Sequence, residues 1–136
     1  ALRGAPRLQR LSLVLRSTRA GDEGVMGLAA LGEAPHLHTL SLYLGANAVG
    51  YAGARALSGL KVAASLRSLT LDFSVNQLGD AGAQTLAALK DAPGLCTLDL
   101  DLRSNGVSAA GAKALSMLKD AVALHTLTLD LSANDL

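Results

Sequence analysis

A parallel α/β solenoid of 29-residue units is the fold this sequence predicts, and three observations predict it. Leu8, Leu37, Leu66, Leu95 and Leu124 fall 29 residues apart. Each opens the same grammar, Leu-x-x-Leu-x-Leu-x-Leu with Phe73 in the last place of the third unit, followed three residues later by an Asn in all units but the first. A Gly then recurs in one column, Gly24, Gly53, Gly82 and Gly111, at the head of an Ala- and Leu-rich segment. A fixed period in this range marks a stack whose units bury their apolar faces only against their neighbours.

The elements follow in order along one unit, residues 66–94. Leu69, Leu71 and Phe73 alternate with Thr70, Asp72 and Ser74, the period-two pattern of a strand with one buried face. Stacked units lay these strands side by side as a parallel sheet. Asn76, repeated as Asn47, Asn105 and Asn134, carries a short amide able to satisfy backbone groups of its own turn and the next. The first unit has Thr18 there, so that ladder is expected to be weaker. Ala83, Leu86 and Leu89 then take the spacing of one helical face. In the Gly column a side chain would hold each helix off its neighbour. Pro35 and Pro93 fall just past two helices and stop them.

The chain divides into residues 1–7 as the end of a preceding unit, full units at 8–36, 37–65, 66–94 and 95–123, and the start of a fifth at 124–136. Leu2 to Pro6 repeat the wording of Leu89 to Pro93. The expectation is therefore an excerpt of a longer array, with further repeats or neighbouring subunits stacking on both ends.

Composition fits thin layers. Half of the 136 residues are hydrophobic, but the aromatics are only one Phe and two Tyr, with no Trp, so Leu, Val and Ala must form the core. The net charge of +1 supplies no field to gather nucleic acid or an anionic membrane. No apolar run approaches the roughly 20 residues of a membrane span, and no signal or transit peptide is visible. Cys96 is alone, which excludes an internal disulfide and leans towards a reducing, intracellular compartment.

In these motifs the chain resembles leucine-rich repeat proteins, and among them the ribonuclease-inhibitor-like class, whose turn reads Asn-x-Leu-Gly-x-x-Gly-Ala. Asn76-Gln-Leu-Gly-Asp-Ala-Gly-Ala83 matches that wording, and the runs beginning at Asn47 and Asn105 match it with small changes. One departure is a fourth apolar strand position before the Asn, which lengthens the sheet by about one pleat. The resemblance implies a right-handed superhelix arc with strands on the concave face and helices on the convex face. It also implies protein recognition without catalysis.

If the Leu side chains point inward, the residues between them form the concave surface in columns. The first is Arg10, Thr39, Ser68, Thr97 and Thr126. The second is Ser12, Ser41, Thr70, Asp99 and Thr128. The third is Val14, Tyr43, Asp72, Asp101 and Asp130, and the fourth Arg16, Gly45, Ser74, Arg103 and Ser132. Arg10, Val14, Arg16, Ser41, Tyr43, Thr70, Asp72, Asp99, Asp101, Arg103, Thr128 and Asp130 are the candidate partner-contacting residues. Tyr43 is the one large aromatic on this surface, either an interface anchor or a cover for neighbouring Leu methyls. The Asp72, Asp101 and Asp130 column would repel itself unless Arg103 and solvent, a basic partner or a cation offset it.

The expected function is a non-catalytic scaffold that binds a protein partner or neighbouring subunits. The alternatives are a structural spacer and, more remotely, an ice-binding Thr/Ser surface. No cofactor, catalytic residue or metal site is expected. His36 and His38 sit on different elements, and His38 and His125 lie three units apart. Cys96 and His125 are neighbours in one column, but no orienting acid accompanies them. No phosphate loop or nucleophile elbow occurs.

Overall fold

The computed structural model describes residues 7–136. Five strands, β1 (Arg10–Val14), β2 (Thr39–Tyr43), β3 (Ser68–Asp72), β4 (Thr97–Asp101) and β5 (Thr126–Asp130), form one parallel sheet in chain order. Four α-helices alternate with them: α1 (Gly21–Leu28), α2 (Tyr51–Ser58), α3 (Gly79–Leu86) and α4 (Ala109–Leu115). Every strand pairs with the next without slippage, so Leu40 faces Leu69 and Leu69 faces Leu98. Leu2 to Pro6, read as the end of a preceding unit, lie outside the described residues.

Each α-helix is shorter than the sequence pattern suggests and passes into a 3₁₀ turn, such as Ala87–Asp91 after α3. Leu89, read as part of the helical face, lies on that turn and is buried there. The tighter winding lets a short connection return the chain to the sheet. Leu40, Leu42 and Leu44, with their counterparts in the next two units, are fully enclosed between sheet and helices. The fourth apolar position lengthens the pairing as expected. Leu44 and Phe73 donate across to Asp72 and Asp101, and Ala46 and Val75 carry the ladder one step further.

Asn76 binds two units at once. Its amide donates to Phe73 O and Ser74 O of its own unit and to Leu44 O of the preceding one. Its Oδ1 accepts from the backbone N–H of Asn47 and of Val49, at 3.0 and 2.9 Å. Asn47 and Asn134 repeat the arrangement. Thr18 closes only its own turn, donating to Leu15 O, and leans on Asn47 Oδ1; the ladder is thinner there, as its chemistry predicts. The residue before each turn Asn (or Thr18) is forced to a left-handed φ: Ser17, Ala46, Val75, Ser104 and Ala133 lie between 54° and 56°. Even β-branched Val75 accepts it.

The Gly column is a packing column. A Cβ at Gly53 would lie 2.6 Å from Val49 Cγ1, and one at Gly111 only 2.5 Å from Asp80 Oδ1. The helix starts, however, come in two kinds. In the first and third units the column N–H bonds to its own chain, Gly24 to Ala20 O and Gly82 to Leu78 O. In the second and fourth it bonds to a carboxylate of the preceding unit: Gly53 to Asp22 Oδ1 at 2.8 Å and Gly111 to Asp80 Oδ1 at 3.0 Å. Gly79 opens α3 at φ 62°, whereas Gly50 precedes α2 at φ −117°.

Two outcomes follow for stability. Replacing Asn76 by Ala strands buried donors and acceptors on two units. Urea unfolding should show a loss of about 3–5 kcal/mol, with a smaller loss for Asn134→Ala at the half-exposed edge. Gly79→Ala should cost about 1–2 kcal/mol because its φ is left-handed, while Gly50→Ala should change the unfolding midpoint little.

Candidate interaction surface

The strand registers place the outward columns where the sequence pattern put them: Ser12, Ser41, Thr70, Asp99 and Thr128 stand opposite one another across the sheet, as do Val14, Tyr43, Asp72, Asp101 and Asp130. A parallel sheet with an exact 29-residue repeat leaves no other arrangement. The hydroxyls of Thr39, Ser41, Ser68, Thr70, Thr97, Thr126 and Thr128 make no side-chain hydrogen bond among the described residues. They form rungs free to meet an outside partner. Val14 is 69% exposed.

The charged columns differ from their expected form. Asp72, read as an outward acid facing solvent, is only 3% exposed. Its carboxylate is held by the Arg16 guanidinium from two units away, and its Oδ1 accepts from Ser74 N at 2.9 Å. Arg16, a candidate contact residue beside Tyr43, lies over the Tyr43 ring at 5.8 Å. On its way it passes Gly45, where an added Cβ would meet Ser74 Oγ at 2.9 Å and Arg16 Cγ only at an ordinary 3.7 Å. Tyr43 is therefore half-buried beneath a cation, and serves as a platform as well as a surface group. A long, flexible side chain reaching across two repeats leaves no trace in local spacing.

Arg103 plays the part assigned to it. Its guanidinium donates to both oxygens of Asp101, at 2.6 to 3.0 Å, and lies 3.5 Å from Asp130 Oδ2. The hydrogen bond and charge of Asp101 hold the Arg103 pKa above its usual range. Asp130 is held below the ordinary carboxylate range, first by the Ser132 hydroxyl, then by the Ser132 N–H, and also by Arg103. Asp99 makes no ion pair among the described residues.

Other residues singled out for chemistry stay apart. The Cys96 thiol donates to Gly94 O at 3.4 Å and not to His125. Among the described residues no group of three His, Cys, Asp or Glu is placed to hold a metal ion. A groove on the helix side, lined by Met26, Tyr51, Ala52, Arg55 and Ala56, brings no base to a nucleophile. No described helix is long and apolar enough to cross a membrane.

A family model described as leucine-rich repeat matches residues 65–87 and 96–116. The fold is that of a leucine-rich repeat solenoid. Its fold is similar to the tropomodulin C-terminal domain of Caenorhabditis elegans, with a TM-score of 0.71 and 19% identity, over 94% of this chain and 77% of that one. It is also similar to leiomodin-1 actin-binding site 2, with a TM-score of 0.67 and 16% identity, over 94% of this chain and 74% of that one. No curated protein matches the sequence. At these identities the likeness is one of fold, and it confirms the repeat architecture without carrying a partner across. The ribonuclease-inhibitor-like class remains a resemblance of turn wording.

The repeated carboxylates predict an acid response. Asp130 and Asp80 both have folded pKa values below the unfolded carboxylate value, Asp80 chiefly through the Ser108 hydroxyl and N–H. A depressed folded pKa contributes stability that is present above the unfolded pKa and lost as pH falls through the folded one. The melting temperature should therefore fall as the pH drops below about 4. Asp80→Asn and Asp130→Asn should each flatten that drop, read by circular dichroism.

Proposed function

We propose that this chain is a non-catalytic protein-binding module that uses the outward face of its sheet. The observation that carries the reading is the row of hydroxyls without hydrogen-bond partners among the described residues, flanked by exposed Val14 and by the Arg16–Tyr43 pair. A polar face with one aromatic, one exposed aliphatic and the Arg16–Asp72 and Arg103–Asp101–Asp130 charges already paired suits a protein surface. Tyr and Arg dominate the energetics of such contacts, and pre-paired charges need no partner to remain folded. The fold likeness to leiomodin-1 actin-binding site 2 is consistent with protein binding and makes actin the first partner to test. Ser41, Thr70, Asp99 and Thr128 form the centre of the proposed contact, with Arg10 at the first strand and Asp101, Arg103 and Asp130 at the acidic side. Further repeats or subunits on the two ends of the stack belong to the same reading.

The competing reading is a structural spacer whose outward face stays empty. Actin co-sedimentation, and affinity capture from extract with each recovered protein quantified, would separate the two. Tyr43→Ala and Asp101→Lys should each reduce recovery of a specific partner about tenfold, the loss of one interface anchor. Unchanged recovery from both folded variants would favour the spacer. Thermal hysteresis in the isolated chain would instead favour the ice-binding alternative.

A further inference from the structure

The junctions between units are not equivalent on the helix side. Asp22 joins the first unit to the second, accepting from Gly50 N and Gly53 N at 2.8 Å each. Asp80 joins the third to the fourth, accepting from Ser108 N and Gly111 N, and from the Ser108 hydroxyl at 2.6 Å. Between the second and third units the same column holds Tyr51, which is 47% exposed and forms no such clamp. Consistently, Gly82 N turns inward to Leu78 O. Charge-assisted bonds to helix-start N–H groups are among the stronger polar contacts a surface can make, and this junction alone of the three lacks them.

On the sheet side, beyond the strand pairing and the Asn76 bonds that cross it, the same junction is spanned by one long side-chain contact. Arg16 starts in the first unit, passes over Gly45 and the Tyr43 ring in the second, and ends on buried Asp72 in the third. We propose that the junction between the second and third units is the hinge of this solenoid, and that the Arg16–Asp72 strap is the latch that holds it closed. Two clamped pairs of units, 8–65 and 66–123, then move as blocks. A partner on the sheet face that draws Arg16 away from Asp72, through a carboxylate or phosphate oxygen of its own, frees the blocks to change angle. This last consequence rests on the sheet face being the binding surface; the hinge itself does not.

Amide hydrogen exchange on the intact chain reads the hinge without any partner. Leu44 N, Ala46 N and Gln77 N bond across this junction, to Asp72 O, Ser74 O and Val49 O. Gly79 N and Gly111 N bond across the next one, to Asn105 O and Asp80 Oδ1. Arg16→Gln should speed exchange at the first three amides about tenfold, while Gly79 and Gly111 stay within about twofold. Equal acceleration at both junctions, or none at either, would overturn the proposal. Should Arg16→Gln fail to fold, Tyr51→Asp in the otherwise native chain supplies the missing clamp. It should slow exchange of Leu44, Ala46 and Gln77 selectively, and unchanged exchange there would overturn the hinge. A partner that binds the sheet face without altering exchange at these amides would leave the hinge standing but remove its link to binding. Loss of binding with the hinge intact would count against the binding surface alone.

Discussion

The bond from one turn to the next through asparagine is the constraint on which the rest of the structure depends. Each Asn amide closes its own strand end and accepts the backbone of the unit before it, so a turn is complete only when its neighbour is present. The exact 29-residue step is a consequence: an insertion of one residue would carry the Asn off the N–H groups it must meet and would turn every Leu of the strand to the wrong face. The left-handed residue before each turn Asn (or Thr18) follows from the same demand. Val75 is a poor residue for that conformation, but the two-sided bonding of Asn76 outweighs the local cost.

Energetically the stack is a set of thin aliphatic layers held in register by polar contacts at both rims. Leu40, Leu69 and Leu98 supply burial without direction, since one aliphatic layer fits the next in several offsets. Direction comes from the Asn ladder at the strand ends and from Asp22 and Asp80 at the helix starts. On the outward face the Arg16–Asp72 and Arg103–Asp101 pairs neutralise charges that the repeat would otherwise place side by side. The sheet can thus present a polar, partly hydroxylated surface without self-repulsion, the property a binding face requires.

Almost all of the fold was legible in the sequence because periodicity alone determines it. Leu37 to Leu124 set the step, the alternation at residues 69–73 set the buried face, and the turn asparagines set the strand ends. The columns of the candidate surface were legible for the same reason. Contacts that span units were not. Arg16 reaching Asp72 across Gly45 joins residues 56 apart, and no local pattern records it. The Asp22 and Asp80 clamps stood in the sequence as an alternation of Asp, Tyr, Asp and Ala at residues 22, 51, 80 and 109, but their meaning depends on the helix-start geometry. The 3₁₀ turns were missed because the Ala- and Leu-rich segment Leu86 to Lys90 fits either winding.

If neighbouring units are interchangeable supports for one another, removing one whole period should shorten the stack without breaking it. Deleting residues 66–94 brings Asn47 under Asn105 in the register that Asn76 now occupies. Circular dichroism and urea unfolding of that shortened chain test this most directly. The account predicts a cooperative transition with the same helix and sheet signature per residue and a lower midpoint. A shortened chain with no cooperative transition, or with an undiminished midpoint, would contradict it.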